Sequence, residues 1–174
     1  MRTPPAFAGL GVALLASFVT ALAQPKLTAQ DGALVFPGAD VLKAAGESAG
    51  RTYGEAWDAG YAPGEEKLLG LVFHKTLTLN RAAAGLLVGI TPEGAISRVH
   101  LKEGPPVDGE FLAQFVGKNA SADFTLARTL EEVLSVPTML KAIRGQRELS
   151  ETIAREVQEL VRFARQMLAG SSQS

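Results

Sequence analysis

The stretch that most constrains what this chain can fold into is Ala84 to Lys118, AGLLVGITPEGAISRVHLKEGPPVDGEFLAQFVGK. Leu86, Leu87, Val88 and Ile90 form a short apolar run, Thr91-Pro92-Glu93-Gly94 supplies turn chemistry, and Ile96, Val99 and Leu101 begin a second extended segment. That pattern is a hairpin. A Gly/Pro/Asp loop follows from Gly104 to Gly109, then a phenylalanine-bearing segment from Phe111 to Val116, closed by Gly117. A hairpin buries its apolar side only beneath a covering layer, so flanking segments must pack on it.

A chain of 174 residues, 47% hydrophobic and 20% charged, fits one ordinary domain. The N-terminus reads as something else. Arg2 precedes an uncharged apolar stretch, Ala6 to Ala23, that ends in Ala21-Leu22-Ala23, a small-x-small cleavage pattern. The expectation is an exported protein whose signal peptide, residues 1–23, is cut after Ala23. The alternative is an uncleaved membrane anchor, since the stretch nearly spans a bilayer. Removal of that segment leaves 16 basic and 18 acidic side chains, a net charge of −2. Basic residues are dispersed along the chain, which speaks against nucleic acid as a partner. With no cysteine, disulfides, thiolate metal sites and cysteine nucleophiles are excluded.

Taken in order, residues 24–32 read as an extended lead-in, 33–169 as a single domain and 170–174 as a flexible tail. Ala33 to Gly38 ends in a turn, and Asp40 is placed to cap a short helix through Val41, Leu42, Ala44 and Ala45. Gly46, Gly50 and Gly54 read as loop. Tyr53, Trp57 and Tyr61 are expected to cover a sheet face rather than grip a ligand. Leu68 to His74 and Thr76 to Leu79 suit strands, and with the central hairpin they predict an antiparallel sheet of about four strands. Beyond Lys118 the period turns helical, with one helix from Ser135 to Arg144. An amphipathic C-terminal helix then carries Ile153, Val157, Leu160, Val161, Ala164 and Leu168 on one face, with Glu151–Arg155 and Arg155–Glu159 pairs outside. The fold class is α+β, a small antiparallel sheet covered by helices.

Catalytic signatures are sparse. His74 and His100 are the only histidines, and no carboxylate spacing beside them specifies a metal site. The pairs Glu65-Glu66 and Glu131-Glu132 read as solvated. No G-x-S-x-G elbow in the mature chain, Walker loop or dinucleotide glycine fingerprint appears. Ser135-Val136-Pro137-Thr138 reads as a helix start, with Ser135 as N-cap, Pro137 in the first turn and Lys141 one turn beyond Thr138. Capping alone accounts for such residues. A phosphate held at Thr138 and Lys141 is the second reading.

The order of these pieces resembles the FMN-binding domain found in flavin subunits of ion-pumping NADH:quinone and ferredoxin:NAD oxidoreductases and in related exported flavoproteins. Phe36-Pro37-Gly38-Ala39 is similar to the family's FPGA-like segment, Val88 to Ile96 to its VGIDxDGxI hairpin, and Phe111 to Lys118 to its FxxQFxGK segment. Glu103 and Pro105 match two positions of its E-T-P-G-L-G loop. The likeness covers roughly residues 33 to 145. In the family, the threonine of S-G-A-T receives FMN through a phosphoester bond made by a separate flavin transferase. The position similar to it is Thr138, with Ser135 retained, Val136-Pro137 in place of Gly-Ala, and Glu132 where an aspartate is usual. The resemblance implies FMN as cofactor, held by Thr138, Ser135, Lys141, Glu103 and Pro105. It also implies electron transfer to a redox partner of the cell envelope, in the periplasm or at the outer face of the inner membrane. The alternative is a flavin-free descendant of the fold that serves as an interaction or accessory module.

Overall fold

The computed structural model describes residues 26–48 and 50–171. The expected leader and the last three residues lie outside this range. Among these residues five strands form an antiparallel meander in the order β1-β2-β3-β4-β5: β1 Val41–Ser48, β2 Arg51–Asp58, β3 Lys67–Leu79, β4 Ala82–Ile90 and β5 Ile96–Lys102. Among the described residues, four helices accompany it: α1 Ala29–Val35, α2 Gly109–Ala113, α3 Leu130–Ser135 and α4 Arg147–Ser171. The α+β class and the central hairpin, β4–β5, are as the sequence predicts.

α1 covers one sheet face and α4 the other. Val35, Phe36, Ala56, Val72 and Leu87 form the smaller core beneath α1. Phe73, Leu86, Val88, Ile90, Phe111, Phe115, Ile153, Val157 and Leu160 belong to the larger one beneath α4. β4 is therefore buried on both faces from Ala84 to Ile90, which explains why its sequence is an unbroken apolar run rather than an alternation. Gly89 lets α1 come close, since a Cβ there would lie 3.0 Å from both Val35 and the Phe36 ring.

Several local expectations change. Residues 29–32, expected extended, are helical because Thr28 and Asp31 form a capping box: Thr28 N donates to Asp31 Oδ2 at 2.9 Å, and Asp31 N donates to Thr28 Oγ1 at 3.3 Å. Val41 to Ala45 is strand, not helix. Asp40 caps nothing helical; its Oδ1 accepts from Ala59 N at 2.9 Å across the end of the β1–β2 pair. Gly46 and Gly54 lie within strands, so the expected loop is a hairpin. The two strand segments before the central hairpin are one thirteen-residue strand, turned into β4 at Asn80-Arg81, both with positive φ. Tyr53 packs its ring 6.1 Å from Phe73 on the sheet, whereas Tyr61 is fully exposed beyond β2.

At the C-terminus Ile153, Val157, Leu160, Val161 and Ala164 of the α4 face are buried as expected, and Leu168 is half-buried. Its charges pair differently: Arg147 Nε meets Glu151 at 2.8 Å, and Glu159 turns to Arg51 at 3.4 Å. Gly170 and Ser171, expected in the tail, continue the helix. Among the described residues, no helix is long and apolar enough to cross a membrane.

Candidate functional site

The FLAQFVGK segment divides its side chains between two jobs. Asp108 caps α2, accepting from Glu110 N at 2.9 Å. Phe111 and Phe115, four residues apart, point inward and meet edge to face with centroids 5.3 Å apart, and Phe115 stacks on Phe124 at 6.2 Å. Gln114 and Lys118, on the other side of the turn, reach toward residues 138–141. Gln114 Oε1 accepts from Lys141 N at 2.6 Å while its Nε2 donates to Lys141 O at 3.0 Å. Lys118 Nζ donates to the carbonyls of Asp123 at 2.6 Å and Thr138 at 2.8 Å. Partial burial lowers the Lys118 pKa from its ordinary value, with Asp123 acting in the opposite direction.

The facing wall is not the expected helix. Ser135 ends α3 instead of capping a new one, and its hydroxyl donates to Glu131 O at 2.6 Å. Val136, preceding proline, has φ −121° and ψ 85°, outside the helical region, as the ring of Pro137 demands of the residue before it. From there the chain turns at Pro137-Thr138, with Met139 N donating to Val136 O at 3.1 Å. Leu140 N donates to Thr125 O and Ala127 N to Leu140 O, both at 2.9 Å, forming a parallel bridge. Thr138 therefore lies in a turn, with no helix terminus to make it electropositive.

Between these walls is an open cleft of about 550 Å³, lined among others by Phe111, Gln114, Lys118, Thr138, Lys141 and Arg144. That size lies within the ~300–1,000 Å³ typical of small-molecule sites. Thr138 and Lys141 are exposed, and among the described residues neither side chain makes a hydrogen bond or ion pair. Three cations, Lys118, Lys141 and Arg144, thus border the cleft with two acids, Asp108 and Glu110.

The other expected site residues lie elsewhere. Ser135 does not line the cleft. Glu103, with φ 62°, borders a separate recess of about 70 Å³ beside Asp31, His74, Thr76 and Lys102, and Pro105 lines neither. In that recess Lys102 Nζ donates to the buried Asp31 Oδ1 at 2.9 Å, and His74 is 5% exposed with its Nδ1 unpartnered. His100 is two strands away from His74, both opposite Leu87. Among the described residues, no group of three or more His, Asp or Glu is placed to hold a metal.

Sequence reasoning brought Thr138 and Lys141 forward but assigned no role to Gln114, Lys118 or Arg144. The spacing carried a signal for the first two: apolar 111 and 115 interleave with polar 114 and 118, which puts them on different sides of one turn. No known family model matches this chain, and no curated protein matches its sequence.

Proposed function

We propose that the cleft beside Thr138 holds FMN and that the protein takes part in flavin-linked electron transfer in the cell envelope. One observation carries the reading: the cleft brings together the Phe111–Lys118 segment and Thr138, two of the places at which the sequence resembles the FMN-binding family. The donor set fits a phosphorylated ligand. Lys141 and Arg144 supply positive charge, Gln114 fixes the backbone that carries Lys141, and the free Thr138 hydroxyl stands at the same rim. Bound FMN would supply the redox chemistry, and the protein's part is to hold and orient it.

Lys118 favours the alternative, a flavin-free interaction module. Its ammonium is held by two main-chain carbonyls, and Pro137 brings no N–H donor to the rim.

Titration of FMN into the purified protein, followed by quenching of flavin fluorescence, tests the proposal. Saturable quenching that weakens by about tenfold in Lys141→Ala is expected, the scale of one charge-assisted contact. A chain that leaves FMN fluorescence unchanged and is purified colourless overturns it.

A further inference from the structure

The charges of α4 are segregated around its axis. At 3.6 residues per turn, Arg147, Glu151, Arg155, Gln158, Arg162 and Arg165 fall within an arc of about 80°. The acids Glu156 and Glu159 lie on the opposite edge of the polar face, where Lys75 and Arg51 of the sheet engage them. The arginines are left without that neutralisation. Among the described residues Arg128, Arg162 and Arg165 have no ion pair or side-chain hydrogen bond. Arg155, its side chain 63% exposed, makes one ion pair among the described residues, with Glu156 at 3.6 Å. The acid on this flank, Glu151, is bonded to Arg147, whose guanidinium also donates to Ala127 O at 3.0 Å.

Residues 120–128 run beside this flank and close two recesses against it. One, of about 270 Å³, is bordered by Phe124, Arg128, Arg147, Arg155 and Gln158, and by Glu151, which Arg147 neutralises. The other, of about 400 Å³, is bordered by Ala120, Arg162 and Arg165. Arg155 and Arg162, one in each, are seven residues apart, about 10.5 Å along the helix. A chain in the extended polyproline II conformation advances about 3.1 Å per residue with three residues per turn, so carboxylates three residues apart share one face and would meet successive guanidinium groups, the pairing arginine makes with most geometric specificity. A groove suits an extended chain better than a flat bilayer does.

We propose that the groove between α4 and residues 120–128 is a docking site for an extended acidic segment of a partner protein, with carboxylates about three residues apart. It stands whether or not the Thr138 cleft holds flavin.

The test uses a fluorescein-labelled, proline-containing peptide of about ten residues with Glu at every third position, followed by fluorescence anisotropy at low and physiological ionic strength. Expected are saturable binding that weakens with salt, a loss of about tenfold or more in R155Q/R162Q, and no change in Arg81→Gln, which removes an exposed arginine from the β3–β4 turn. Absence of wild-type binding, equal affinity in R155Q/R162Q, or an equal loss in Arg81→Gln overturns the proposal. So does preferential capture of phosphatidylglycerol vesicles, or displacement of the peptide by a single-stranded oligonucleotide at lower concentration, since either assigns the groove to another class of polyanion.

Discussion

The carboxamide of Gln114 grips the backbone of Lys141 from both sides, accepting from its N–H at 2.6 Å and donating to its carbonyl at 3.0 Å. An amide alone matches this pair, because a carboxylate offers no donor and an amine no acceptor. The residue after α2 thereby fixes the wall that carries Thr138. Gln114→Ala should lower stability by about 1–3 kcal/mol, the range for two net hydrogen bonds, and Gln114→Glu should fail to restore it. Urea denaturation of the three proteins checks this, and full recovery by glutamate would mean that the contact is not read as a donor–acceptor pair.

Gly70 sits where β3 bulges against β2, with φ 152°. A Cβ there would lie 2.3 Å from the Ile90 carbonyl oxygen and 2.5 Å from the Phe36 ring, so neither the sheet nor the α1 core can accept it unchanged. Gly70→Ala should destabilise by about 2–4 kcal/mol. Gly94→Ala, also at positive φ but facing open space, should lose only about 1 kcal/mol. Equal denaturation midpoints for the two variants would contradict the close approach.

His74 predicts a pH dependence. Burial lowers its pKa below the ordinary histidine value; Lys102 acts in the same direction, while Asp31 and Glu103 oppose. The folded protein thus favours neutral His74 and binds fewer protons there than the unfolded chain. Its stabilising contribution is complete above the unfolded value of about 6.5 and is lost as pH falls through that value toward the folded one. Asp31 acts in a more acidic window. Burial raises its pKa, but hydrogen bonds from Lys102 and Thr28 bring it below the ordinary carboxylate value. The urea midpoint should therefore drop between about pH 7.5 and about pH 5.5, and His74→Asn should flatten that drop. An identical drop in the variant would assign the effect to other groups.

Where the sequence could be read, the reason was periodicity. Leu160 and Val157 fall on the 3.6-residue stripe of α4 and are fully buried; Leu86 to Ile90 is a run that only a doubly covered strand sustains. Where the reading failed, a local cue was outweighed or missed. Thr28-x-x-Asp31 is a capping box, but it follows a polar stretch with no apolar period to announce a helix. Asp40 has the residue type of an N-cap, yet Val41 and Leu42 were taken into the sheet. Ser135 and Pro137 read as a helix start because both types occur there. Pro137 instead forced Val136 out of helical geometry, and Leu140 was claimed by a bridge to Leu126. The cleft was half legible for the same reason: Thr138 and Lys141 carry free side chains, but Gln114 acts through a long-range contact that spacing does not encode. The arginine flank of α4 was hidden because its members lie seven and three residues apart, which in sequence resembles dispersal.

The measurement that bears most directly on the flavin reading is fluorescence after denaturing electrophoresis of protein co-expressed with a flavin transferase. The Thr138 hydroxyl is exposed at the rim of the cleft and free of internal hydrogen bonds among the described residues, with Lys141 and Arg144 lining the same cleft. A phosphoester at that hydroxyl survives loss of the fold. A fluorescent band in the wild type that disappears in Thr138→Ala is the predicted result. Fluorescence persisting in Thr138→Ala would place the attachment on another residue, and a dark, colourless wild type that also fails to bind added FMN would contradict the flavin reading itself.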